Sequence, residues 1–224
     1  MFVTPVAMLT HHDVTVPNAL EVFEENKHSK AEYWGFKNTG VDFKQSEKIA
    51  QSMRDAGKIV AYESLVTSEE DSLTAAKFAI ENGCKMLLGM KFYRSVSELL
   101  KENGLWYFPA FGKRDGPSKL VGTPEEIAED GLNALAQGSY GLRLSVYRYM
   151  DGDPETMAAY VIPKVQNGGQ MMITGTINSY ERLDFLKRVQ PWGFTMGGAL
   201  FDDSFGIANI AEKLDAVCDY MAKE

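Results

Sequence analysis

The feature that most constrains the fold is a regular alternation of short apolar segments and amphipathic segments along the chain of 224 residues. Each apolar segment is typical of a buried strand, and the segment after it carries apolar residues at helical spacing. Several of these helices have clear ends, such as the capping box Thr123-Pro-Glu-Glu126 and the stop at Gln137-Gly138. Eight strand–helix units follow one another without a linker, which favours one (β/α)8 TIM barrel domain over residues 1–224. A doubly wound open sheet is the alternative.

The predicted strands share an apolar centre and end in polar or small residues. They span residues 3–9, 32–37, 58–63, 84–91, 105–111, 141–148, 171–174 and 194–196. The last helix is predicted over residues 207–221, and residues 112–122 form the longest segment without predicted secondary structure. In a barrel of this kind the functional site is built where the strands end, so the polar residues at those positions are the candidates.

Composition excludes several classes of partner. The net charge is −8 with a pI near 5.0, and there is no run of lysine or arginine, which argues against nucleic acid. Two cysteines are too few for a disulfide framework and suit a reducing compartment. No apolar run reaches the roughly 18 residues of a membrane span, and the apolar N-terminus lacks the basic region of a signal peptide. We therefore expect a cytoplasmic protein that uses no cofactor, with a homo-oligomer left open.

Small residues follow the last two predicted strands and predict a phosphate site. Glycine at a strand end lets backbone N–H groups approach a ligand, and free N–H groups at the start of a helix attract anions. The loops after strands seven and eight are the usual phosphate site of such barrels. The predicted phosphate-binding residues are Gly175, Thr176, Asn178, Gly197 and Gly198.

Three charged residues at strand ends are the candidate catalytic groups. Glu63 and Lys91 each follow an apolar run, where a charge is costly unless it is paired or used. We expect neighbouring strands to place Glu63 and Lys91 side by side, and Lys37 ends strand two by the same logic. A carboxylate beside an amine suits acid–base or Schiff-base chemistry, whereas a structural salt bridge is the alternative.

Other polar strand-end residues are candidates for holding substrate, namely His12, Arg143, Arg148 and Thr174. Both arginines could clamp an anion through two hydrogen bonds, although Arg148 could equally be a solvated loop charge. His12, Asp13 and Glu63 could converge on a metal, but no HxH or HExxH spacing supports this, and we predict no metal site.

Two stretches of the sequence resemble a known group. Gly175-Thr-Ile-Asn-Ser-Tyr-Glu-Arg-Leu183 and Met196-Gly-Gly-Ala-Leu-Phe201 resemble the paired phosphate-binding turns of the ribulose-phosphate-binding barrels. Ala79-Ile-Glu-Asn-Gly-Cys-Lys-Met-Leu-Leu88, Leu105-Trp-Tyr-Phe-Pro-Ala-Phe-Gly112 and Gly122-Thr-Pro-Glu-Glu-Ile-Ala128 are similar in order and spacing to 2-keto-3-deoxy-6-phosphogluconate aldolases. The resemblance covers residues 58–205 and implies the barrel and its phosphate turns.

The chain departs from that aldolase family at the catalytic positions. The family forms a Schiff base with a lysine on strand six, and Arg143 stands at the matching position here. The strand-two segment lacks the family's glutamate, and residues 113–121 are an insertion after strand five. The resemblance therefore implies the fold and the phosphate site and leaves the aldolase chemistry unsupported.

Three functions follow from these residues. The first is an enzyme, an isomerase, epimerase or lyase, that moves protons next to the carbonyl of a small phosphorylated sugar or keto acid, using Glu63 with Lys91 or Lys37. The second is a class I aldolase whose Schiff-base amine is Lys91 or Lys37. The third is a non-catalytic barrel that binds a phosphorylated metabolite, for which the missing strand-six lysine is the main support.

Overall fold

The eight predicted strands form one parallel sheet that closes on itself. The structure is a computed structural model that describes residues 2–116 and 118–223, so Met1, Pro117 and Glu224 of the predicted domain lie outside the described residues. The strands are β1 (Thr4–Met8), β2 (Tyr33–Lys37), β3 (Ile59–Glu63), β4 (Met86–Gly89), β5 (Trp106–Pro109), β6 (Gly141–Leu144), β7 (Gln170–Ile173) and β8 (Gly193–Met196).

The order of the strands decides between a barrel and an open sheet. Along the sheet the order is β6-β7-β8-β1-β2-β3-β4-β5, and a parallel bridge from Ala110 to Arg143 joins the two end strands. An open doubly wound sheet would leave these two strands apart as edges. The predicted (β/α)8 barrel is therefore confirmed, and the open sheet is wrong.

The helices surround the barrel, and six of these eight begin at a side-chain cap. They are α1 (Ala19–Asn26), α2 (Phe43–Asp55), α3 (Glu69–Glu81), α4 (Arg94–Glu102), α5 (Pro124–Ala136), α6 (Pro154–Val165), α7 (Tyr180–Val189) and α8 (Ile210–Ala222). Thr123 and Glu126 form the predicted capping box of α5, and Ser68 caps α3. Among the described residues, no helix is long and apolar enough to cross a membrane.

Alternate residues of each strand face the barrel interior. One buried cluster fills the interior and takes every second residue of a strand, as in the pairs Val6 with Met8 and Met86 with Leu88. Its other members are Ala61, Phe108 and Met172. The strand residues between these inward positions point outward and pack against the helices in a larger cluster. Because side chains alternate along a strand, the residue two positions beyond an inward residue also points inward. This period selects which polar residues reach the cavity at the carboxyl ends of the strands.

Several predicted bounds and one predicted loop differ from the structure, and the largest differences are at the ends of β4 and β6 and in the loop after β5. β4 ends at Gly89 and β6 ends at Leu144, where a 3-10 turn over Val146–Arg148 replaces the predicted end of the strand. The segment predicted to lack structure forms an antiparallel hairpin, Lys113–Asp115 with Lys119–Val121. Leu120 is fully buried within this hairpin, and Met150 N–H donates to the Leu120 carbonyl at 3.0 Å, so the hairpin is fastened to the loop after β6.

Candidate functional site

A cavity of about 510 Å³ lies at the carboxyl ends of the strands. Seven of the strands contribute lining residues from their carboxyl ends or from the residues just beyond. After β5, the hairpin supplies Arg114 and Ser118. A groove of about 540 Å³ also lies outside the barrel between α1 and α2. Its lining is mostly polar and charged side chains of the helix surfaces, whereas the strand-end cavity contains buried charged side chains. The strand-end cavity is therefore the candidate active site.

The floor of the cavity holds a buried carboxylate between two cations. Glu63 Oε1 lies 3.1 Å from Arg143 Nη1, and Glu63 Oε2 lies 3.6 Å from Lys37 Nζ. Lys37, Glu63 and Arg143 are only 7%, 6% and 4% exposed, so each charge depends on the others for compensation. Arg143 Nε also donates to the Gly89 carbonyl at 2.9 Å, which fixes its guanidinium under the cavity. These three side chains meet because each occupies an inward-facing position on its strand, β2, β3 or β6.

Asp13 completes the array from a hairpin that follows β1. Thr10–His11 pairs with Val14–Thr15, and the two turn residues His12 and Asp13 have φ values of 50° and 64°. A turn with positive φ at both central residues matches the twist of a tight hairpin, but it is costly for residues other than glycine or asparagine. The Thr15 hydroxyl donates to the Lys37 carbonyl at 2.9 Å and holds this hairpin on β2.

The strained turn directs the Asp13 carboxylate at two cations. Arg148 Nη2 donates to both oxygens at 2.8 and 2.9 Å, and Lys37 Nζ donates at 3.1 Å. Burial alone would raise the pKa of Asp13, but the Lys37 ammonium and the Arg148 guanidinium outweigh it and hold that pKa below its usual range. Asp13 therefore stays ionised at neutral pH and links Lys37 on the floor to Arg148 on the wall.

The expected pairing of Glu63 with Lys91 is wrong. Lys91 is exposed, and its Nζ lies 5.5 Å from the centroid of the Tyr93 ring, away from the residues that line the cavity. The reason is the period of two: Met86 and Leu88 face inward, Met90 lines the cavity, and Lys91 has the opposite parity. Lys37 is thus the lysine that the fold brings to Glu63.

The five predicted phosphate residues all line one wall of the cavity. Gly175 and Thr176 have φ values of 79° and 61°, so this turn presents its backbone in a conformation that favours glycine at the first position. A Cβ on Gly197 would meet Thr10 Oγ1 at 2.4 Å, whereas a Cβ on Gly198 would find its nearest neighbour, His11 Cδ2, at 3.7 Å. Gly197 is therefore required by packing, whereas a Cβ on Gly198 would fit with an ordinary van der Waals contact. Their binding of phosphate stays a prediction.

The parts of this wall are held in place by long side chains. Arg182 Nη1 donates to Asn178 Oδ1 at 2.7 Å, and Arg182 lies over the Tyr147 ring at 3.9 Å. A short helix over Gly198–Phe201 begins at the wall, and the fully buried Lys213 donates to its Ala199 carbonyl at 2.9 Å. A Cβ on Gly175 would lie 3.3 Å from Arg148 Nε, so the Arg148 guanidinium packs beside the same turn.

The remaining predicted substrate residues also reach the cavity. His12, Arg143, Arg148 and Thr174 line it, and the Thr174 and Ser145 hydroxyls are hydrogen bonded at 3.1 Å. His12 is exposed at the rim, with its ring stacked on His11 at 3.9 Å. In the part of the chain that the structure describes, no group of three or more His, Cys, Asp or Glu residues could hold a metal. Asp13 and Glu63, weighed as ligands with His12, are instead paired with cations.

The sequence interpretation did not select three residues that the structure places in the cavity. Asp13 was considered only as a metal ligand, and Ser145 and Arg114 were assigned no role. Strand alternation could have predicted the position of Ser145, because Ser145 lies two residues beyond the inward-facing Arg143. Arg114 gave no such signal, because its position depends on the hairpin over Lys113–Val121.

Comparisons with known proteins give a fold and no family. No protein-family model matches the chain, and no curated protein matches it. Orotidine 5′-phosphate decarboxylase from Pyrococcus horikoshii OT3 is 11% identical, with a TM-score of 0.69 over 99% of this chain and 100% of its own. N-acetylmannosamine-6-phosphate 2-epimerase from Clostridium perfringens is 10% identical, with a TM-score of 0.63 over 96% of this chain and 92% of its own.

A third solved structure bears directly on the resemblance seen in the sequence. A 4-hydroxy-2-oxoglutarate/2-dehydro-3-deoxyphosphogluconate aldolase is 17% identical, with a TM-score of 0.60 over 98% of this chain and 94% of its own. Identities this low carry the fold alone. The chain therefore has the TIM-barrel fold of these phosphosugar-processing enzymes, which confirms the expected likeness to ribulose-phosphate-binding barrels at the level of the fold.

Proposed function

We propose that this protein is an enzyme that moves a proton next to the carbonyl of a small phosphorylated sugar or keto acid. The observation that carries the proposal is the buried Lys37–Glu63–Arg143 array, which shares one cavity with the two glycine turns after β7 and β8. The array supplies a carboxylate and cations, and the turns supply backbone N–H groups for a phosphate. A substrate held at its phosphate would present its carbonyl end to the array.

The geometry assigns different tasks to the two sides of Glu63. Oε1 is engaged by Arg143 at 3.1 Å, whereas Oε2 is 3.6 Å from Lys37, beyond good hydrogen-bond distance. Oε2 therefore keeps lone pairs with which to take a proton from the carbon beside the carbonyl. Lys37 would then place its ammonium near the carbonyl oxygen and stabilise the negative charge that develops there. Return of the proton to the same or a neighbouring carbon would complete an isomerisation or epimerisation.

The solved structures support the class of substrate. Those with the same fold include, by their names, an epimerase, an isomerase, a decarboxylase and an aldolase that act on phosphorylated compounds. Phosphate sites after strands seven and eight recur on this fold, and the glycine turns here occupy that place. Because the fold hosts many chemistries, the reaction itself is argued from the Glu63 array.

We expect a small aldose or ketose phosphate to raise the melting temperature of the wild type and not that of Gly198→Asp. A Cβ on Gly198 meets its nearest neighbour at an ordinary contact distance, so we expect an aspartate to be tolerated there and to place a carboxylate where the phosphate would bind. A ligand at about 100 times its Kd stabilises the folded state by about 2.7 kcal/mol, an effect that is easily measured by thermal shift.

Two variants control for the added side chain and the added charge. Gly198→Ala tests the steric effect alone, and Gly152→Asp adds the same carboxylate at an exposed glycine outside the cavity. Both should keep the ligand-induced shift. If the ligand still raises the melting temperature of Gly198→Asp, the phosphate does not bind at this wall. If no phosphorylated compound raises the melting temperature of the wild type, the proposal is wrong.

A class I aldolase with Lys37 as the Schiff-base amine is the second candidate. It is favoured by the buried position of Lys37 in the cavity, and Lys91 is no longer eligible because it lies outside. It is opposed by the ion pairs of Lys37 with Asp13 and Glu63, which must break before the amine can attack a carbonyl. Borohydride reduction with pyruvate or glyceraldehyde 3-phosphate would decide: a covalent adduct on Lys37 establishes the aldolase mechanism, and its absence leaves proton transfer.

Binding without turnover of any bound compound would instead identify a non-catalytic barrel.

A further inference from the structure

Arg114 is a cation in the cavity that has no carboxylate partner in the described parts of the chain. It lies in the hairpin over Lys113–Asp115 and Lys119–Val121, lines the cavity, and takes part in no ion pair within 4.0 Å among the described residues. Among the described residues, its side chain makes one hydrogen bond, from Nη2 to Ser145 Oγ at 3.5 Å, which is long. The other cavity cations, Lys37, Arg143 and Arg148, all face a carboxylate.

The fold holds Arg114 in this unfavourable position. The Gly112 N–H donates to Asp130 Oδ2 at 2.7 Å at one end of the hairpin, and the Gly122 N–H donates to Asp151 Oδ2 at 2.7 Å at the other. Leu120 anchors its middle in the core. Burial and the Arg143 and Arg148 guanidiniums outweigh the more distant Glu63 carboxylate and lower the pKa of Arg114 to about 10, so its charge is retained at neutral pH at an electrostatic cost. A bound anion would relieve that cost.

We propose that Arg114 and the Ser145 hydroxyl form a second anion subsite, which takes a carboxylate of the same phosphorylated substrate. Ser145 is hydrogen bonded to Thr174 at 3.1 Å, and Thr174 immediately precedes the Gly175 turn, so the two subsites are neighbours along one wall. One guanidinium and one hydroxyl match the two oxygens of a carboxylate. The inference rests on the proposed phosphate site and narrows the substrate to phosphorylated acids.

The test compares ligands that differ only in the carboxylate. The probes are sorbitol 6-phosphate with 6-phosphogluconate, and glycerol 3-phosphate with 3-phosphoglycerate, measured by calorimetry on the full chain; fructose 1,6-bisphosphate and inorganic phosphate complete the set. Because a hydrogen bond to a charged group is worth about 1.5–3 kcal/mol, the wild type should bind the acid of at least one pair about 10- to 100-fold more tightly than the alcohol. Arg114→Met should abolish this preference while leaving the alcohol phosphate within about threefold.

A neighbouring lysine provides the matched control. Lys113 lies on the same hairpin, is exposed and does not line the cavity, so Lys113→Met removes the same charge and should keep the preference. Equal loss of all phosphorylated ligands in Arg114→Met would show that Arg114 serves the phosphate and would overturn the second subsite. So would a wild type that binds alcohol and acid equally, or one that prefers the bisphosphate to the acid. If the wild type binds no phosphorylated compound, the phosphate premise fails and the second subsite falls with it.

Discussion

Replacing Glu63 by glutamine is expected to lower kcat by about 100- to 10,000-fold, the range typical of losing a general base. Glutamine keeps the size of the side chain and keeps one oxygen that can accept a hydrogen bond from Arg143, but it cannot take a proton. The phosphate turns lie on β7 and β8, away from β3, so substrate affinity should stay within a few-fold. Steady-state kinetics with calorimetric binding on the same preparations measures both quantities. Unchanged kcat in Glu63→Gln would remove Glu63 from the reaction.

The two lysines at the ends of β2 and β4 make a matched comparison for the same reaction. Lys37→Met removes the ammonium that lies 3.1 Å from Asp13 and 3.6 Å from Glu63, whereas Lys91→Met removes an exposed amine that does not line the cavity. Only Lys37→Met should lower kcat. If Lys91→Met lowers kcat as much as Lys37→Met does, the inward-facing positions of the strands do not define the site.

Replacing Arg143 by leucine is expected to destabilise the fold by about 3 kcal/mol, because removing one partner of a buried ion pair leaves an uncompensated charge. Arg143 is the nearest cation to Glu63, at 3.1 Å, and it also satisfies the Gly89 carbonyl at 2.9 Å. Leucine can do neither, and Lys37 at 3.6 Å is the remaining partner of Glu63. The midpoint of urea unfolding measures the loss.

An exposed arginine and a double variant test the cause of that loss. Arg94 pairs with Glu98 on the surface of α4, with both side chains more than half exposed, so Arg94→Leu should change the free energy of unfolding by less than about 0.5 kcal/mol. Combining Glu63→Gln with Arg143→Leu should cost less than the sum of the two single changes, because the unpaired charge is gone. Strict additivity, or an Arg143→Leu loss no larger than that of Arg94→Leu, would contradict the proposed pairing.

The barrel was predictable because its evidence is local and repeated. Each apolar run has the length of a strand in a β/α unit, and most of the helices that follow begin at a capping side chain. Thr123 with Glu126, for example, marks a helix start without tertiary information. Glu63, Lys37 and the glycine turns were predictable for a related reason, since a parallel barrel places all strand ends at one edge. The misplacement of Lys91 arose because the apolar sequence of β4 does not mark which of its residues face inward, and an error of one residue reverses the direction of a side chain.

The parts of the site that were missed depend on turns whose sequences lack the usual signals. His12-Asp13 adopts positive φ at both positions without the asparagine or glycine that normally indicates such a hairpin. The hairpin that carries Arg114 pairs a fully charged strand, Lys113–Asp115, with Lys119–Val121, and neither strand has an alternating apolar pattern long enough to predict a hairpin. Both hairpins are held by contacts with distant residues, Thr15 with Lys37 and Leu120 with Met150, which a single sequence does not reveal.

Exchange of substrate protons with solvent tests the central claim most directly. Each phosphorylated sugar or keto acid that raises the melting temperature is incubated with the protein in deuterated water, and the carbon next to the carbonyl is followed by proton NMR. If Glu63 moves a proton there, the wild type should incorporate deuterium at that carbon far faster than buffer alone, and Glu63→Gln should not. A wild type that binds such a compound yet incorporates no deuterium, or a Glu63→Gln variant that exchanges as fast as the wild type, would contradict the proposed chemistry.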